Sequence, residues 1–205
     1  MVAVLGAPPV DTTKPPPPAG DWVLPPSRRD RIRSEALRLF RQRGYHGVGM
    51  DEIGRAAGMS GPTIYSHHDS KAAILVDACE RAGARLEAAA HEAVAGATSP
   101  ADALDRLAAS ALRVAIDDGD LIVVTNREAA ALPDPDRQRL ARRREDVLTT
   151  WAAVVGALRP DLPEAAGRAV VGGVLPLVGQ VAYGLDDAEA GVPLVRAWCL
   201  GSDQR

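Results

Sequence analysis

Apolar positions recur every three or four residues along most of the chain, which is the spacing of one face of an α-helix. The first run lies in SRRDRIRSEALRLFRQRGY, where Ile32, Ala36 and Phe40 share a face and Gly44 is expected to end the helix. Ala, Leu, Val and Arg are abundant and Phe occurs once, which also favours helices over sheet. The pattern predicts an all-α fold, with further helices at about 71–95, 100–118, 121–125, 140–158, 164–185 and 188–200.

The segment from Gly44 to Lys71 predicts two short helices joined by a tight turn. Gly49 precedes the first helix, MDEIGRAA, at its N-cap, and Gly58 ends it. Ser60 is a suitable cap for the second helix, and Pro62 lies in its first turn, where a missing N–H costs little. Two short helices, a turn of about three residues and small alanines between them are typical of a helix-turn-helix.

The same segment resembles the DNA-binding domain of the tetracycline-repressor (TetR) family of bacterial transcription regulators. The resemblance lies in FRQRGYHG at the end of the first helix, in MDEIGRAAGMS and in PTIYSHHDSKAAIL. The family motif ends in Tyr-x-His-Phe followed by a lysine two or three residues later. Tyr65, His67 and Lys71 match this pattern, whereas His68 stands where an apolar aromatic residue is expected.

The resemblance implies a three-helix DNA-binding domain with a helix-turn-helix, followed by a larger α-helical domain for ligand binding and dimerisation. It also implies that the protein is a sequence-specific transcriptional repressor. Such a repressor would bind a palindromic operator in double-stranded DNA as a homodimer. A small apolar or amphipathic effector, whose identity the sequence does not give, would release it. The family positions that contact phosphates match Tyr65, His67 and Lys71. The candidate DNA contacts are Arg28, Arg29, Ser60, Gly61, Pro62, Thr63, Tyr65, Ser66, His67 and Lys71.

Charge is distributed unevenly along the chain, whose net charge is −3. Residues 27–71 contain nine Arg or Lys and five acids, so this segment carries +4 and the remainder −7. A basic head on an acidic body suits a protein that touches phosphates at one end only. Arg28 and Arg29 lie where the preceding arm meets the first helix, a junction that often lies along DNA in the family. A phosphate contact and a solvated helix face are both open for them.

The second part of the chain places polar side chains among aliphatic stripes. Arg127 and Glu128 lie in the apolar segment VVTNREAAALP, where a mutual salt bridge or bonds to neighbouring helix ends would satisfy them. The alternative is a ligand cavity with few polar groups, which suggests an apolar or amphipathic effector. The candidate ligand contacts are then Asn126, Arg127, Glu128, Trp151, Gln180 and Tyr183.

The segment VVGGVLPLVGQVAYG is apolar almost all round, which indicates burial on more than one side. Gly172, Gly173 and Gly179 permit close helix approach, and Pro176 is expected to kink the helix. Burial of one side against a second copy fits the family's dimer, which is built from its last two long helices. A glycine-rich helix buried within a single chain is the alternative.

The first 26 residues are rich in Pro and lack a helical or alternating period, so we expect a disordered or extended arm. We accordingly divide the chain into an arm (1–26), a helix-turn-helix domain (27–71) and a regulatory domain (72–205). We expect neither a signal peptide nor a membrane span, and the two cysteines give no disulfide framework. These features predict a cytoplasmic protein without a membrane partner.

Other functions have weaker support. His67, His68 and Asp69 are consecutive and lack a second ligand pair, so we predict no metal site. No phosphate-binding loop, nucleophile elbow or pair of catalytic carboxylates occurs, so we predict no enzymatic activity and no cofactor. Two alternatives stay open. One is a regulator whose sensor is Cys79 or Cys199, and the other is a helical protein that binds small molecules without acting on DNA.

Overall fold

The computed structural model describes residues 26–128, 131–182 and 184–201, apart from the side chains at 122, 123 and 125–127. These residues form α-helices and one short 3-10 turn, without a strand among them, which confirms the predicted all-α fold. The segment LIVVT is helical, as the sequence predicted. The helices are α1 (Arg28–Arg43), α2 (Met50–Ala56), α3 (Gly61–Tyr65), α4 (Lys71–Ala95), α5 (Pro100–Asp117), α6 (Gly119–Glu128), α7 (Asp134–Leu158), α8 (Glu164–Gly172), α9 (Val174–Ala182) and α10 (Val192–Leu200).

Local capping groups set the ends of α1. The Ser27 hydroxyl accepts from the Asp30 N–H at 3.1 Å, and the Asp30 carboxylate accepts from the Ser27 N–H at 3.0 Å, which completes a capping box. The hydrogen bond from the Ser27 hydroxyl to the carboxylate, followed by the bond from Arg33, lowers the pKa of Asp30 to about 2. Gly44 ends α1 at φ 77°, a conformation that glycine adopts at little cost. The predicted end of this helix at Gly44 is confirmed.

The two short helices α2 and α3 pack against each other as the sequence predicted. Gly58 has φ 70° and lets the chain leave α2 in the left-handed conformation. Pro62 lies in the first turn of α3, where it removes no helical hydrogen bond. Ile53 of α2 and Ile64 of α3 are fully buried, so each helix is anchored by one large aliphatic side chain.

Buried apolar side chains form two separate clusters. The head core includes Ile32, Phe40, Ile53, Ile64, Ile74, Leu75 and Ala78, together with Leu121, Val124 and Leu132 from much later in the chain. The body core includes Ala90, Leu104, Leu107, Leu112, Trp151, Val155, Val174 and Val195. The first half of α4 therefore lies in the head, whereas its second half lies in the body. Since α4 is one continuous helix, it connects the two cores directly.

The apolar segment predicted as one helix over 164–185 is broken into α8 and α9 at Gly173. Pro176 lacks the N–H that would donate to the carbonyl of Gly172, and its ring crowds that carbonyl. The kink expected from Pro176 is therefore a break in the preceding turn. The last helix, α10, begins at Val192 and not at 188, because a 3-10 turn precedes it.

Candidate nucleic-acid interface

The outer face of α3 carries small polar groups. Ser60 and Thr63 share a hydrogen bond of 2.7 Å between their hydroxyls, and the Ser66 hydroxyl donates to the Thr63 carbonyl at 2.8 Å. Ile64 points the other way, into the head core. Beside the hydroxyls lie Gly61, which is half-buried, and Pro62, which is exposed. The face therefore offers hydroxyls instead of long donors.

The end of α3 and the start of α1 form one polar surface. Tyr65 is 49% exposed, which is unusual for a large side chain in this protein. The carbonyl of His67 accepts from the Arg29 guanidinium at 2.9 Å, so Arg29 joins the two helices. Arg28 and Arg31 are exposed and have no partner among the described residues. Both guanidinium groups are therefore free to contact an anion.

Lys71 is held within the head. Its ammonium donates to the carbonyls of Tyr45 at 2.9 Å and Val48 at 3.1 Å, and it lies 4.5 Å from the centre of the Tyr45 ring. These carbonyls belong to the loop between α1 and α2, so Lys71 fastens that loop to the start of α4. Two of the three N–H groups of the ammonium are therefore used, and the third could make the phosphate contact predicted for Lys71. That contact stays a prediction.

His68 is a buried polar side chain of the head, 6% exposed, at the position where the family motif has an apolar aromatic residue. Its Nε2 lies 3.2 Å from the carboxylate of Asp77, which also accepts from Arg33 at 3.2 Å. Its Nδ1 has no hydrogen-bond partner within the described part of the chain. The ring therefore packs as the aromatic residue would, and Asp77 satisfies one of its nitrogens.

Three of the six predicted ligand contacts, Glu128, Trp151 and Gln180, have described side chains, and these three do not lie together. Trp151 is fully buried in the body core, and Gln180 is exposed on α9. The side chains of Asn126 and Arg127 lie outside the described residues, as does Tyr183 entirely. A ligand role for any of these residues stays a prediction.

Glu128, the sixth of these residues, joins α6 to the head. Its carboxylate accepts from the backbone N–H of Tyr45 at 3.4 Å, just beyond the end of α1. Arg41 of α1 also donates to Asp120 of α6 at 2.6 Å. The sequence left open whether Glu128 bonds to a neighbouring helix end or contacts a ligand, and the structure shows a bond just beyond the end of α1. Glu128 does not line the apolar cavity of the body.

That cavity has a volume of about 460 Å³ and lies between α4, α5, α7 and α9. Such a volume is typical of sites for small molecules, and the walls are mainly aliphatic. The polar groups of the walls are Cys79, Asp118, Arg137, Arg143 and Arg144. The sequence pattern does not predict the three arginines, because they lie on α7 outside its apolar stripe.

Neither cysteine has the character of a reactive thiol. Burial, followed by the charge of Glu80, raises the pKa of Cys79 to about 12, and burial raises the pKa of Cys199 to about 11. With these pKa values both thiols are protonated at neutral pH. Because only the thiolate reacts, both cysteines should be slow to react. We expect DTNB to label the folded protein far more slowly than the protein unfolded in guanidinium. Rapid labelling of the folded protein would restore the cysteine-sensor alternative, and Cys79→Ser and Cys199→Ser would show which thiol reacts.

A basic head with a helix-turn-helix, joined by one long helix to a body with an apolar cavity, defines a DNA-binding regulator of the helix-turn-helix class. Residues 32–78 match the sequence model of bacterial regulatory proteins of the tetR family. An uncharacterised HTH-type transcriptional regulator of Mycobacterium tuberculosis is 32% identical over 155 residues, which cover 72% of this chain and 73% of that protein. The chain therefore belongs to the TetR family of transcriptional regulators.

Two solved structures share the fold. A TetR-family regulator from Bordetella parapertussis matches with a TM-score of 0.76 at 20% identity, over 84% of this chain and 94% of that one. AibR, solved with isovaleryl coenzyme A and operator DNA, matches with a TM-score of 0.68 at 17% identity, over 83% of this chain and 97% of that one. At these identities the likeness concerns the fold alone.

Proposed function

We propose that the chain is a cytoplasmic, homodimeric repressor that binds a palindromic operator through α3 and leaves it when a small molecule enters the body. The observation that carries this proposal is the exposed polar face of α3 on a head whose residues 27–71 have a net charge of +4. Two heads related by two-fold symmetry would enter successive major grooves, with α3 helices about 34–36 Å apart.

Within each head, α3 is the helix that we assign to the major groove. Thr63 and Ser66 bring small hydroxyls to the base edges, so specificity rests on few direct contacts and on the shape of the DNA. Tyr65 and His67, at the end of the helix, are assigned to the phosphate backbone. Arg29 holds this end of α3 to the start of α1, so the contacts from both helices move as one unit.

The apolar segment Glu164–Ala182 supports the dimer. An 18-residue window of this segment has a mean hydropathy of 1.4, so its length and composition would also permit a membrane span. Only 22% of that window is buried within the single chain, so most of it is available to a partner. The segment is divided at Gly173 into α8 and α9. An exposed apolar helix pair of this kind is typical of a protein interface.

The neighbouring helix α10 extends the same apolar surface. Leu194 and Trp198 are one turn apart and are 59% and 48% exposed. The indole of Trp198 donates to the carbonyl of Val170 at 2.9 Å, which fixes α10 against α8. Gly172 and Pro176 are exposed along α8 and α9. We call these exposed parts of α8, α9 and α10 the dimer face and assign a second copy of the chain to it.

Two helices connect the cavity to the head and could transmit the effect of ligand binding. Helix α4 lines the cavity with Ala82 and Leu86 and enters the head core with Leu75. Helix α6 contributes Leu121 to both the cavity wall and the head core. To take the population from 1:99 to 99:1, the effector must prefer the released state by ~5.5 kcal/mol. AibR, similar in fold, was solved with an acyl coenzyme A and operator DNA, which supports a ligand-responsive body here.

The proposal is tested with DNA from upstream of the protein's own gene. The purified protein should retard this DNA, and footprinting should show two symmetric half-sites about 10–10.5 base pairs apart. Deletion of the gene should raise transcription from the bound promoter, whereas a decrease would make the protein an activator. A folded protein that retards no such DNA would favour the alternative that binds small molecules only.

Arg28→Ala should weaken binding to all DNA sequences alike, because an exposed guanidinium without a partner among the described residues is available to a phosphate. The slope of log affinity against log salt should become less steep by about 0.9 for each protomer, measured by fluorescence anisotropy at several salt concentrations. Arg142→Ala is the matched control, since Arg142 is exposed on α7, outside the head, and likewise has no partner in the described part of the chain. An altered sequence preference without loss of affinity would place Arg28 on a base.

A further inference from the structure

The cavity in the body combines an aliphatic interior with arginines on one side only. Leu86 of α4, Val114 of α5 and Val178 of α9 are among its aliphatic walls. The three arginines all come from α7 and are at positions 137, 143 and 144. Apart from Asp118 at the end of α5, the charged groups of the cavity wall therefore all come from α7.

Two of these arginines already have partners in the protein. Arg137 donates to the carbonyl of Leu132 at 2.9 Å and pairs with Asp134. Arg143 donates to the carbonyl of Glu80 at 3.2 Å and lies 3.7 Å from a carboxylate oxygen of Glu87. Their charges are therefore largely balanced before any ligand enters.

Arg144 differs from its neighbours. It lines the cavity and is exposed, which places it where the cavity opens to solvent. It has no hydrogen bond or ion pair with any of the described residues. The carboxylate in the described part of the wall is Asp118, which pairs with Arg85 at 2.7 Å. Burial raises the pKa of Asp118, so it adds little unbalanced negative charge.

We propose that the cavity binds an anionic amphiphile, whose aliphatic chain lies between α4, α5 and α9 and whose carboxylate or phosphate pairs with Arg144. A planar guanidinium is well suited to both anions, since it can donate two parallel hydrogen bonds. The volume of about 460 Å³ accommodates one aliphatic chain of moderate length. A large polar group on the ligand would stay outside, at the opening of the cavity. This inference names the ligand class of the cavity to which the proposed function assigns the effector.

The test is calorimetric titration of the purified full-length protein, without DNA, with four ligands of equal chain length. Decanoate and decanoyl coenzyme A carry negative charge, 1-decanol is neutral, and decyltrimethylammonium is positive. We expect at least one of the anions to bind about tenfold or more tightly than the alcohol, because a hydrogen bond to a charged group contributes that much. The cation should bind most weakly. Comparison of the two anions shows whether the free acid or the coenzyme thioester is preferred.

The variant Arg144→Glu should lose the preference for the anion, with about a tenfold or greater loss of affinity for it and little change for decanol. Arg142→Glu makes the same charge change on the same helix without lining the cavity, so it should bind like the unchanged protein. Circular dichroism confirms that both variants are folded. Equal affinity for decanol and the anions, no binding of either anion, or equal effects of the two variants would overturn the proposal. Because no DNA is present, these outcomes are independent of the operator assay.

Discussion

Leu194→Glu combined with Trp198→Glu is expected to convert the proposed dimer into monomers that hold the proposed operator at least about 100-fold more weakly. The two side chains are among the few large apolar ones exposed on the single chain, and they lie on the dimer face. Glutamates there would meet their own copies across a two-fold axis, where like charges repel. Each head would then bind its half-site without the effective concentration that a linked second head provides.

Light scattering and fluorescence anisotropy measure the two parts of this prediction. The double variant should have the mass of one chain, 21.5 kDa, and should keep its helical circular dichroism. Val94→Glu is the control, because Val94 is a 39% exposed apolar residue on α4, outside the dimer face. It should stay dimeric and bind the operator normally. A double variant that stays dimeric at the same concentration would show that the subunits meet elsewhere.

Trp151→Ala is expected to be among the most destabilising single substitutions, at about 3–5 kcal/mol, because it leaves a large cavity in the body core. Trp151 is 0% exposed, and its indole nitrogen has no hydrogen-bond partner among the described residues. Trp151→Phe keeps most of the apolar volume and removes the unpaired N–H, so its cost should be clearly smaller.

Unfolding in guanidinium, followed by circular dichroism, gives the free energies for this comparison. The proposed dimerisation would make stability depend on concentration, so all variants are compared at the same chain concentration. A cost below about 1 kcal/mol for Trp151→Ala would mean that the indole is not enclosed by the core. It would then support the ligand contact predicted for Trp151 from the sequence.

The helix ends were the most predictable part of the structure, because their causes are local. Ser99 directly precedes α5 and is a suitable N-cap, and its hydroxyl accepts from the backbone N–H of Asp102 at 3.2 Å. Gly44 and Gly58 end α1 and α2 with positive φ, as expected for these positions. Each signal depends on a residue and its neighbours along the chain, so no knowledge of the tertiary fold is needed.

The site was less predictable, because it depends on what lies across space. Periodicity places Glu128, Lys71 and Arg144 on their helices, but it does not show which groups face them. Glu128 faces the N–H of Tyr45, 83 residues away in the chain, and Lys71 faces carbonyls of an earlier loop. Arg144 is distinguished from Arg137 and Arg143, which also line the cavity, by lacking such a partner among the described residues.

The contribution of Leu121, Val124 and Leu132 to the head core limits how this protein can be recombined. A chimaera that joined residues 26–78 to the body of another relative would remove all three side chains from beneath the helix-turn-helix. Loss of these three buried aliphatic side chains costs several kcal/mol, which is a large part of the stability of an ordinary domain. Exchange of DNA specificity between relatives therefore requires α6 and the residues after it to be transplanted along with the head, or redesigned to fit it.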